Sequence, residues 1–411
     1  MTGGTSVEAV EDFSSRVAQW YAEQGLTPRA DADDRERSLA VFHDLSYEAE
    51  LELITALADW IRTRYDAGFG AVGWPESFGG AGLSAEHEAV LARIESEYEV
   101  PSPHELMSVT LHLIAPTLRV FDRTPEMRAL ISPMLRGDVL ACQLFSEPGA
   151  GSDLASLATR ARREGDEWVI TGQKVWTSGA RFAQWGELLA RTDPDVPKHR
   201  GITAFMVPLD AAGIEVRPLR QMSGGSSFNE VFLEEVRIPD AYRIGDVGDG
   251  WKVALTTLGF ERNSSGENTD VGGSVDQVIS LARATGALDD QVLRQKLADL
   301  LISHRLAEVS SARDAVAGDP TGVLGSMRKL QWTQRLTQMS DFVIDALEGD
   351  LAVDCGAPQS FAWTEHVLGA PGYRIAGGSD EIQRNLIAER YLGLPAEPRG
   401  DKNTPWRDIP R

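Results

Sequence analysis

The sequence contains little cysteine and no long apolar segment. Its 411 residues include only two cysteines, Cys142 and Cys355, which rules out a disulfide framework and fits a reducing compartment. No apolar run approaches the roughly 20 residues that a membrane-spanning helix needs. The first residues, MTGGTSVEAVEDF, have neither a basic region nor an apolar core, so no signal peptide is indicated. We therefore expect a cytoplasmic protein without a membrane segment.

The sequence also lacks an excess of basic residues. Its 40 lysine and arginine residues stand against 62 aspartate and glutamate residues, which gives a formal net charge of −22. Nucleic acid and anionic membrane surfaces repel such a chain, which argues against non-specific binding to either. An anionic ligand held in a local basic pocket remains compatible with this charge.

Several catalytic signatures are absent as well. The sequence has no HExxH, CxxC, P-loop or GxSxG motif, and no GxGxxG follows a predicted strand. Its histidines do not cluster at metal-ligand spacing. Metal-dependent hydrolysis, serine-nucleophile hydrolysis and a Rossmann dinucleotide site are therefore unsupported, and no metal site is expected.

The periodicity of apolar residues predicts helices, then strands, then helices again. Leu53, Leu57 and Ile61 recur at helical spacing in the first third of the chain. From about residue 140 to 245 the pattern alternates, and ATRARREGDEWVITGQKVWTSG reads as a hairpin that turns at Gly165. Helical spacing returns from Trp251 onward. This order predicts a β unit between two helical layers, followed by a Pro-, Arg- and Asp-rich tail over 396–411.

Three stretches are suited to contacting a ligand. FSEPGAGSD (145–153) offers backbone amides and two hydroxyls, and QKVWTSGA (173–180) offers an aromatic face followed by two hydroxyls. RIAGGSDEIQR (374–384) places two glycines before Ser379, an expected helix N-cap. Each stretch alone also fits a structural role: a glycine-rich strand connection, a strand that contributes to a barrel core, and a capped helix.

The combination of these stretches resembles the acyl-CoA dehydrogenase family. SEPGAGSD, GQKVWTSGA and GGSDEIQRNLIAER occur in the family's order. WPESFGGAGL near the N-terminus is similar to the family's WPEEYGGxGL loop, and FNEVFLEEVRIP and GDVGDGWKVA also match family segments in place. The resemblance covers roughly residues 50 to 395, and several motifs in order are far more specific than any one of them.

This resemblance implies the fold, the cofactor and a set of site residues. The fold is an N-terminal α-helical domain over 1–138, a middle β-barrel over 139–245 and a C-terminal four-helix-type bundle over 246–395, with the tail over 396–411. The cofactor is FAD, with Trp176 packed against the flavin ring and Ser152 also on the route of the CoA arm. The implied FAD contacts are Gln143, Phe145, Ser146, Gly151, Ser152, Trp176, Thr177, Ser178, Ser379 and Glu381.

The family's usual catalytic carboxylate is missing. Many members carry a glutamate directly before the Gly-Thr of the C-terminal motif, and the matching residue here is Gly377. Some branches place the base on the first long helix after the barrel, directly before an arginine, which corresponds to Glu261 and Arg262 in LGFERN. We predict that Glu261 is the base, that Arg262 contacts the substrate, and that the Gly377 amide polarises the thioester carbonyl.

Two departures from the family affect the expected partners. The family's Arg-x-x-Phe-Gly contact with the FAD of a neighbouring subunit is absent from LARATGALDDQVLRQ, where Arg283 or Arg294 is the nearest substitute. A Gly-Gly loop before the C-terminal motif is also missing. Both departures resemble bacterial, actinobacterial-type members, so a homotetramer and a mixed heterotetramer both stay open.

The leading hypothesis is a dehydrogenase that forms a trans-2-enoyl thioester and passes electrons to an electron-transfer flavoprotein. Two alternatives stay open. One is an O₂-using flavoenzyme on the same fold, such as an acyl-CoA oxidase, nitroalkane oxidase or flavin monooxygenase. The other is a low-activity partner subunit of a mixed tetramer.

Overall fold

The structure, a computed structural model, describes residues 8–29, 38–264, 271–317, 319, 322–353, 362–398 and 400–410, with the backbone alone described at 262–264 and 315–317. Helices come first along the chain, then strands, then helices, so the order predicted from the periodicity is confirmed. No helix among the described residues is long and apolar enough to cross a membrane.

The N-terminal part is helical. Its elements are α1 (Val10–Glu23), α2 (Tyr47–Asp66), α3 (Ala85–Glu95), α4 (Glu105–Ser108), a π-helical segment (Val109–Ile114), α5 (Ala115–Val120) and α6 (Pro125–Arg136). The Ser46 side chain caps α2 by accepting a hydrogen bond from the Ala49 amide at 3.2 Å. α6 ends at Gly137, which has a φ of 81° that glycine adopts without strain. π-helical turns are rare and often occur at functional sites.

The middle part is one eight-stranded sheet. Its strands are β1 (Ala141–Leu144), β2 (Arg160–Glu164), β3 (Glu167–Ser178), β4 (Trp185–Arg191), β5 (Ile202–Pro208), β6 (Ile214–Leu219), β7 (Phe228–Pro239) and β8 (Arg243–Ile244). The order is β6-β7-β3-β2-β4-β5-β8, and β1 pairs with β4 in parallel register. The hairpin predicted to turn at Gly165 is the antiparallel pair β2–β3.

The two faces of the sheet contribute to two different apolar cores. On β4, Leu188 and Ala190 point into an apolar core that residues of β1, β2, β3, β5 and β7 share with residues of α2 and α4. The alternate residue Leu189 joins the core that the sheet forms with the π-helical segment, α5 and α6. Helices therefore pack on both faces of the sheet, with α2 and α4 on the first face and the π-helical segment, α5 and α6 on the second.

The C-terminal part is again helical. Its elements are α7 (Gly250–Ser264), α8 (Val275–Ala284), α9 (Gln291–Ala317), α10 (Leu324–Leu347), α11 (Ala362–Tyr373) and α12 (Asp380–Arg390). α7 packs against β5 and the π-helical segment, whereas α10 packs against α9, α11 and α12. α7 and α10 thus connect the sheet to the C-terminal helices.

The described end of the predicted tail lies on the sheet domain. The Trp406 amide donates to the Val196 carbonyl at 2.9 Å, and the Trp406 ring lies under the guanidinium of Arg191, 4.7 Å from it. Lys198 forms ion pairs with Asp401 at 2.9 Å and with Asp153 at 3.0 Å. Lys198 therefore bridges the tail and the loop that carries Ser152.

Candidate active site

The two glycines before α12 form a turn that other residues could not adopt easily. Gly377 and Gly378 have φ values of 62° and 84°, in the left-handed region. The Ser379 hydroxyl caps α12 by accepting from the Ile382 amide at 3.4 Å. Gln383 Nε2 donates to the carbonyls of Gly377 and Gly378 at 3.0 and 3.1 Å. The turn is thus held by the helix that it starts.

Glu261 of α7 lies directly beside Gly377. A Cβ placed on Gly377 would be 2.8 Å from Glu261 Oε1 and 3.7 Å from its carboxyl carbon. Real Cβ atoms essentially never make contacts that short, so a side chain at 377 would require the Glu261 carboxylate, the flexible end of its side chain, to shift. The structure therefore brings together the two residues that the sequence analysis paired. The side chain of Arg262, the predicted substrate contact, lies outside the described residues.

A buried lysine of α10 forms a hydrogen bond with this turn. Lys329 of α10 is 3% exposed, and its Nζ donates to the Gly378 carbonyl. Burial lowers the pKa of Lys329, while the carboxylates of Asp380, Glu261 and Glu381 act in the opposite direction and offset part of this effect. Lys329 therefore places a cation close to Glu261 and anchors the backbone next to Gly377.

The two other acids at this helix start have different surroundings. Asp380 is 1% exposed and accepts hydrogen bonds from Thr333 Oγ1 at 3.1 Å and Arg374 Nε at 2.9 Å. Both oxygens of the Asp380 carboxylate are thus hydrogen-bonded, which fixes the start of α12. Glu381 points to solvent, and hydrogen bonds from its own amide and from Ser379 lower its pKa. Neither acid is placed beside Gly377 as Glu261 is.

Trp176, the residue predicted to pack against the flavin ring, lies at an irregular point of β3. Trp176 has a φ of 60°, and the register of β3 against β7 shifts between Lys174 and Thr177. This bulge turns the indole outward, so 61% of Trp176 is exposed. A non-glycine residue in this region is strained, and such strain collects at ligand sites. A large exposed aromatic on a rigid strand suits the face of a flat ring.

A buried ion pair holds the FSEPGAGSD loop in place. Glu147 Oε1 lies 2.8 Å from Lys174 Nζ, and Lys174 also donates to the Phe145 carbonyl at 3.0 Å. Glu147 accepts from the amides of Ala158 and Thr159 as well. Burial lowers the pKa of Lys174 to about 8, against the opposing effect of Glu147. These contacts fix Phe145 and Ser146 next to β3.

The other end of this loop faces open space. Gly151 and Ser152 are exposed, and a Cβ placed on Gly151 would meet no atom within 4 Å. Asp153 follows, tied to Lys198. Backbone and hydroxyl groups of 151–152 are therefore accessible to a ligand that extends from the sheet toward the surface.

A chain of aromatic contacts links Trp176 to the Glu261 side of the site. The Trp176 and Phe228 ring centroids are 5.9 Å apart, Phe228 and Phe42 are 5.3 Å apart, and Phe42 stacks on Tyr373 at 4.9 Å. Burial raises the pKa of the Tyr373 phenol, and the nearby carboxylates of Glu105 and Glu261 raise it further. Glu105 itself lies at the Trp176 end of these contacts, since its Oε1 accepts a hydrogen bond from Ser178 Oγ at 3.1 Å.

The residues present fit a bound flavin. Among the described residues, Thr177 Oγ1 and Gln143 Nε2 are buried without a hydrogen-bond partner, and such groups are costly unless a ligand or water satisfies them. Thr177 follows the exposed Trp176 on β3, and Gln143 precedes the loop that holds Phe145 and Ser146. Unpaired polar groups next to an exposed aromatic face match the edge and the face of a planar, heteroatom-rich ring.

Four residues of this site were not found from the sequence. They are Glu105, Tyr373, Lys329 and Glu187, and each comes from a different element. Lys329 did carry a signal, since a lysine stands among the buried residues of α10, between Ser326 and Trp332. For Glu105 and Glu187 no local pattern distinguishes them from the many exposed acids of this chain.

Glu187 lies deepest of the four. It is fully buried on β4, and its Oε1 accepts a hydrogen bond from Thr257 Oγ1 of α7 at 2.8 Å. Thr257 Oγ1 is also 3.0 Å from Thr117 Oγ1 of α5. Burial raises the pKa of Glu187 to about 8, against the effect of the Thr257 hydrogen bond. Thr257 precedes Glu261 by one helical turn. The hydrogen bonds of Thr257 with Glu187 and Thr117 therefore hold α7 in place close to the proposed base.

Comparisons with known proteins identify the family. Residues 142–236 match the family model described as acyl-CoA dehydrogenase, middle domain, and residues 248–392 match the acyl-CoA dehydrogenase, C-terminal domain. Acyl-CoA dehydrogenase IpdE1 of Mycobacterium tuberculosis is 36% identical over 401 residues, which cover 96% of this chain and 100% of that protein. The chain belongs to the acyl-CoA dehydrogenase family. It is an oxidoreductase of flavoprotein type, and the resemblance and the enzyme class predicted from the sequence are confirmed.

Further relatives agree with this family. Acyl-CoA dehydrogenase FadE34 of Mycobacterium tuberculosis is 38% identical over 336 residues, which cover 80% of this chain but 45% of that longer protein. Among solved structures, the Tcur3481-Tcur3483 steroid ACAD matches with a TM-score of 0.72 and 26% identity, covering 94% of this chain and 98% of that chain. The ChsE4-ChsE5 complex from Mycobacterium tuberculosis matches with a TM-score of 0.67 and 23% identity, covering 96% of this chain and 100% of that chain, which supports the fold alone.

These matches confirm the predicted fold class of an acyl-CoA dehydrogenase, with its helical, β and helical parts. Acyl-CoA dehydrogenases are in general FAD-dependent. Arg283 and Arg294, the substitutes considered for the inter-subunit FAD contact, are both exposed, and Arg294 donates to the Leu288 carbonyl at 3.0 Å. Their role therefore stays a prediction.

Proposed function

We propose that this chain is an FAD-dependent acyl-CoA dehydrogenase that converts an acyl thioester to its trans-2-enoyl form. The observation that carries the proposal is the position of Glu261, whose Oε1 lies 2.8 Å from the point where a Gly377 Cβ would be. A carboxylate from α7 thus takes the space that a side chain at 377 would need. This arrangement provides a general base at the C-terminal motif although the motif itself carries none.

The protein's own groups have distinct tasks in this proposal. Glu261 removes the proton from the α-carbon of the thioester. The Gly377 amide donates to the thioester oxygen and stabilises the negative charge that develops there as the proton leaves. Lys329 holds the adjacent Gly378 carbonyl and keeps this amide in place. FAD bound at this site would supply the acceptor for the hydride that leaves the β-carbon.

The same proposal assigns the residues that hold FAD. Trp176 would pack against the flavin ring, and Thr177 Oγ1 and Gln143 Nε2, which are buried without a hydrogen-bond partner, would bond to its edge. The backbone and hydroxyl groups around Ser146 and Ser178 complete that edge. Gly151 and Ser152 lie where the loop opens to the surface, and Ser379 and Glu381 would contact the cofactor from the start of α12.

Electrons leave to an electron-transfer flavoprotein, and this separates the proposal from an O₂-using enzyme on the same fold. The test is anaerobic bleaching of the flavin by a panel of straight, branched and steroid-derived acyl-CoAs, followed by assay with and without an electron-transfer flavoprotein. We expect bleaching by at least one thioester and turnover only with the acceptor. Steady hydrogen peroxide formation without the acceptor indicates an oxidase or monooxygenase, and a colourless protein indicates a partner subunit.

An exchange of the two paired residues tests the geometry. We expect Glu261→Gly to abolish bleaching and Glu261→Gly with Gly377→Glu to recover part of it, because both carboxylates reach one point. The matched control is Glu389→Gln, an exposed acid on α12, which leaves bleaching unchanged. No recovery in the double variant, with FAD bound, means that the two positions do not share one proton-abstraction point.

We also propose a tetramer, either of this chain alone or mixed with a second dehydrogenase chain. α9 carries an apolar stripe of exposed residues, Ile302, Leu306 and Val309, each more than half exposed. Tyr391, Leu392 and Leu394 after α12 are likewise exposed. Contiguous apolar surface of this kind marks an interface, and helical faces close into symmetric assemblies.

A further inference from the structure

Residues 400–410 of the tail are bound to the sheet domain through their backbone. The Trp406 amide donates to the Val196 carbonyl at 2.9 Å, and the Arg407 amide donates to the Pro194 carbonyl at 3.1 Å. Both carbonyls lie in the connection between β4 and β5. Because two neighbouring amides bond to the same connection, the tail has a defined position along it.

The Trp406 side chain lies against a buried arginine that holds the FSEPGAGSD loop and the residues after it. Arg191 is 3% exposed, and its guanidinium is 4.7 Å from the Trp406 ring. Arg191 Nη2 donates to the carbonyls of Ala155 and Leu157 at 2.6 and 3.2 Å. Trp406 Nε1 donates to the carbonyl between them, that of Ser156, at 3.4 Å. Arg191 and Trp406 thus hold three consecutive carbonyls of this segment.

An ion pair adds a contact one residue from Ser152. Lys198 Nζ lies 3.0 Å from the carboxylate of Asp153, which follows Ser152, and 2.9 Å from that of Asp401 in the tail. The Lys198 side chain is 11% exposed, so salt screens these pairs less than it screens pairs on the surface. The tail therefore holds the chain that follows Ser152 through an ion pair as well as through Trp406.

The tail also connects this segment with α12. The helix starts next to the Gly377 turn and ends at Arg390, and residues 391–398 continue without helix or strand. One continuous piece of chain therefore joins the helix that follows the Gly377 turn to the loop that carries Ser152. The two ends of the candidate active site are linked by the tail in addition to their packing.

We propose that Trp406 is a positioning residue, which holds the loop around Gly151 and Ser152 in the conformation that binds the nucleotide arm of the acyl-CoA. The proposal rests on the function proposed above. Gly151 and Ser152 are exposed, which suits a ligand that enters and leaves at each turnover. A loop that is ordered before the ligand arrives loses less conformational entropy on binding, so the affinity is higher. None of the contacts described here involves Glu261, and the effect therefore falls on affinity and not on the chemical step.

The test measures the loop and the affinity separately. The variants are Trp406→Ala, Trp406→Phe, which keeps a ring against Arg191, and the matched control Lys402→Ala, an exposed position of the tail. Hydrogen exchange followed by mass spectrometry reports on residues 149–157. Anaerobic flavin reduction at increasing acyl-CoA concentration separates the half-saturating concentration from the maximal rate.

We expect Trp406→Ala to speed exchange in residues 149–157 about 10-fold and to raise the half-saturating acyl-CoA concentration about 10-fold. The maximal rate and the FAD content stay as in wild type. Trp406→Phe lies between the two, and Lys402→Ala behaves as wild type does. If Trp406→Ala fails to fold by circular dichroism, Trp406→Phe and a variant that ends at Pro398 replace it.

The outcomes separate this proposal from the proposed function. Unchanged exchange in Trp406→Ala and in the variant that ends at Pro398 overturns the role of Trp406 in holding the loop. Faster exchange with an unchanged half-saturating concentration overturns the link to acyl-CoA, and loss of FAD shows that the loop holds the arm of FAD instead. Absence of bleaching by every thioester overturns the proposed function, while the exchange measurement still decides whether Trp406 holds the loop.

Discussion

At the scale of single residues, the site depends on the absence of one side chain. Gly377 has a φ of 62°, and a Cβ there would lie 2.8 Å from Glu261 Oε1. Gly377→Ala therefore introduces both backbone strain and a clash with the proposed base. We expect FAD to stay bound while flavin reduction slows by about 10²-fold, because a displacement of about 1 Å is enough for such a loss.

Gly25 provides a control variant that has backbone strain but no clash with Glu261. Gly25 has a φ of 68°, and a Cβ placed on it would meet no atom within 4 Å, so Gly25→Ala adds strain alone. Stopped-flow reduction by an acyl-CoA compares the two variants. If Gly25→Ala slows reduction as much as Gly377→Ala does, or if Gly377→Ala reduces as fast as wild type, contact between residue 377 and Glu261 is irrelevant to the reaction.

At the scale of elements, β1 and β3 carry the proposed flavin contacts together. The Val175 amide donates to the Ser146 carbonyl at 2.9 Å, so the loop after β1 and the bulge of β3 form one surface. Trp176→Ala with Ser146→Ala removes ring packing and part of the edge at once. We expect less FAD per chain after gel filtration. Thr171→Ala with Ser156→Ala is the control, and full FAD content in the first double variant would rule out this placement of the flavin.

The contact between β4 and α7 has a pH dependence of its own. Glu187 keeps its proton up to about pH 8 when folded but loses it near its ordinary value when unfolded. The unfolded state therefore binds fewer protons between these pH values, and the folded state loses stability as pH rises through this window. The slope is roughly 1 kcal/mol per pH unit for one such group.

Glu187→Gln removes this titration while keeping an acceptor for Thr257. As pH rises from 5 to 8, we expect the apparent Tm of wild type to fall relative to that of the variant. Above pH 8 the difference in Tm should stay constant. Thermal unfolding followed by circular dichroism at several pH values measures it. A Tm difference that does not change with pH would show that Glu187 does not titrate in this window.

Some features of these elements could be predicted from the sequence, and others could not. The hairpin β2–β3, the cap of α12 and the pairing of Glu261 with Gly377 were predictable, because each follows from local turn chemistry or from a motif in its family position. Glu105, Tyr373 and Glu187 were not, since their roles arise where α4, α11 and β4 meet other elements. No periodicity within one element indicates which acid another domain will desolvate.

At the scale of the whole molecule, apolar side chains on α9 and after α12 remain exposed in the single chain. Val292 and Leu306 are 65% and 58% exposed, and Leu392 is 61% exposed. We expect light scattering at micromolar concentration to give a tetramer, either with this chain alone or after a second dehydrogenase chain is added. Leu306→Lys should weaken the assembly, whereas Lys296→Ala should not. A monodisperse monomer with flavin bound under both conditions would contradict this.

The most direct test of the central claim is anaerobic reduction of the flavin in Glu261→Gln. Glutamine keeps the size of the side chain and an acceptor beside Gly377 but cannot take the α-proton. We predict that the variant binds FAD and acyl-CoA as wild type does and that its flavin is reduced about 10²- to 10⁴-fold more slowly. Reduction at the wild-type rate would show that the proton leaves to another group and that Glu261 is not the base.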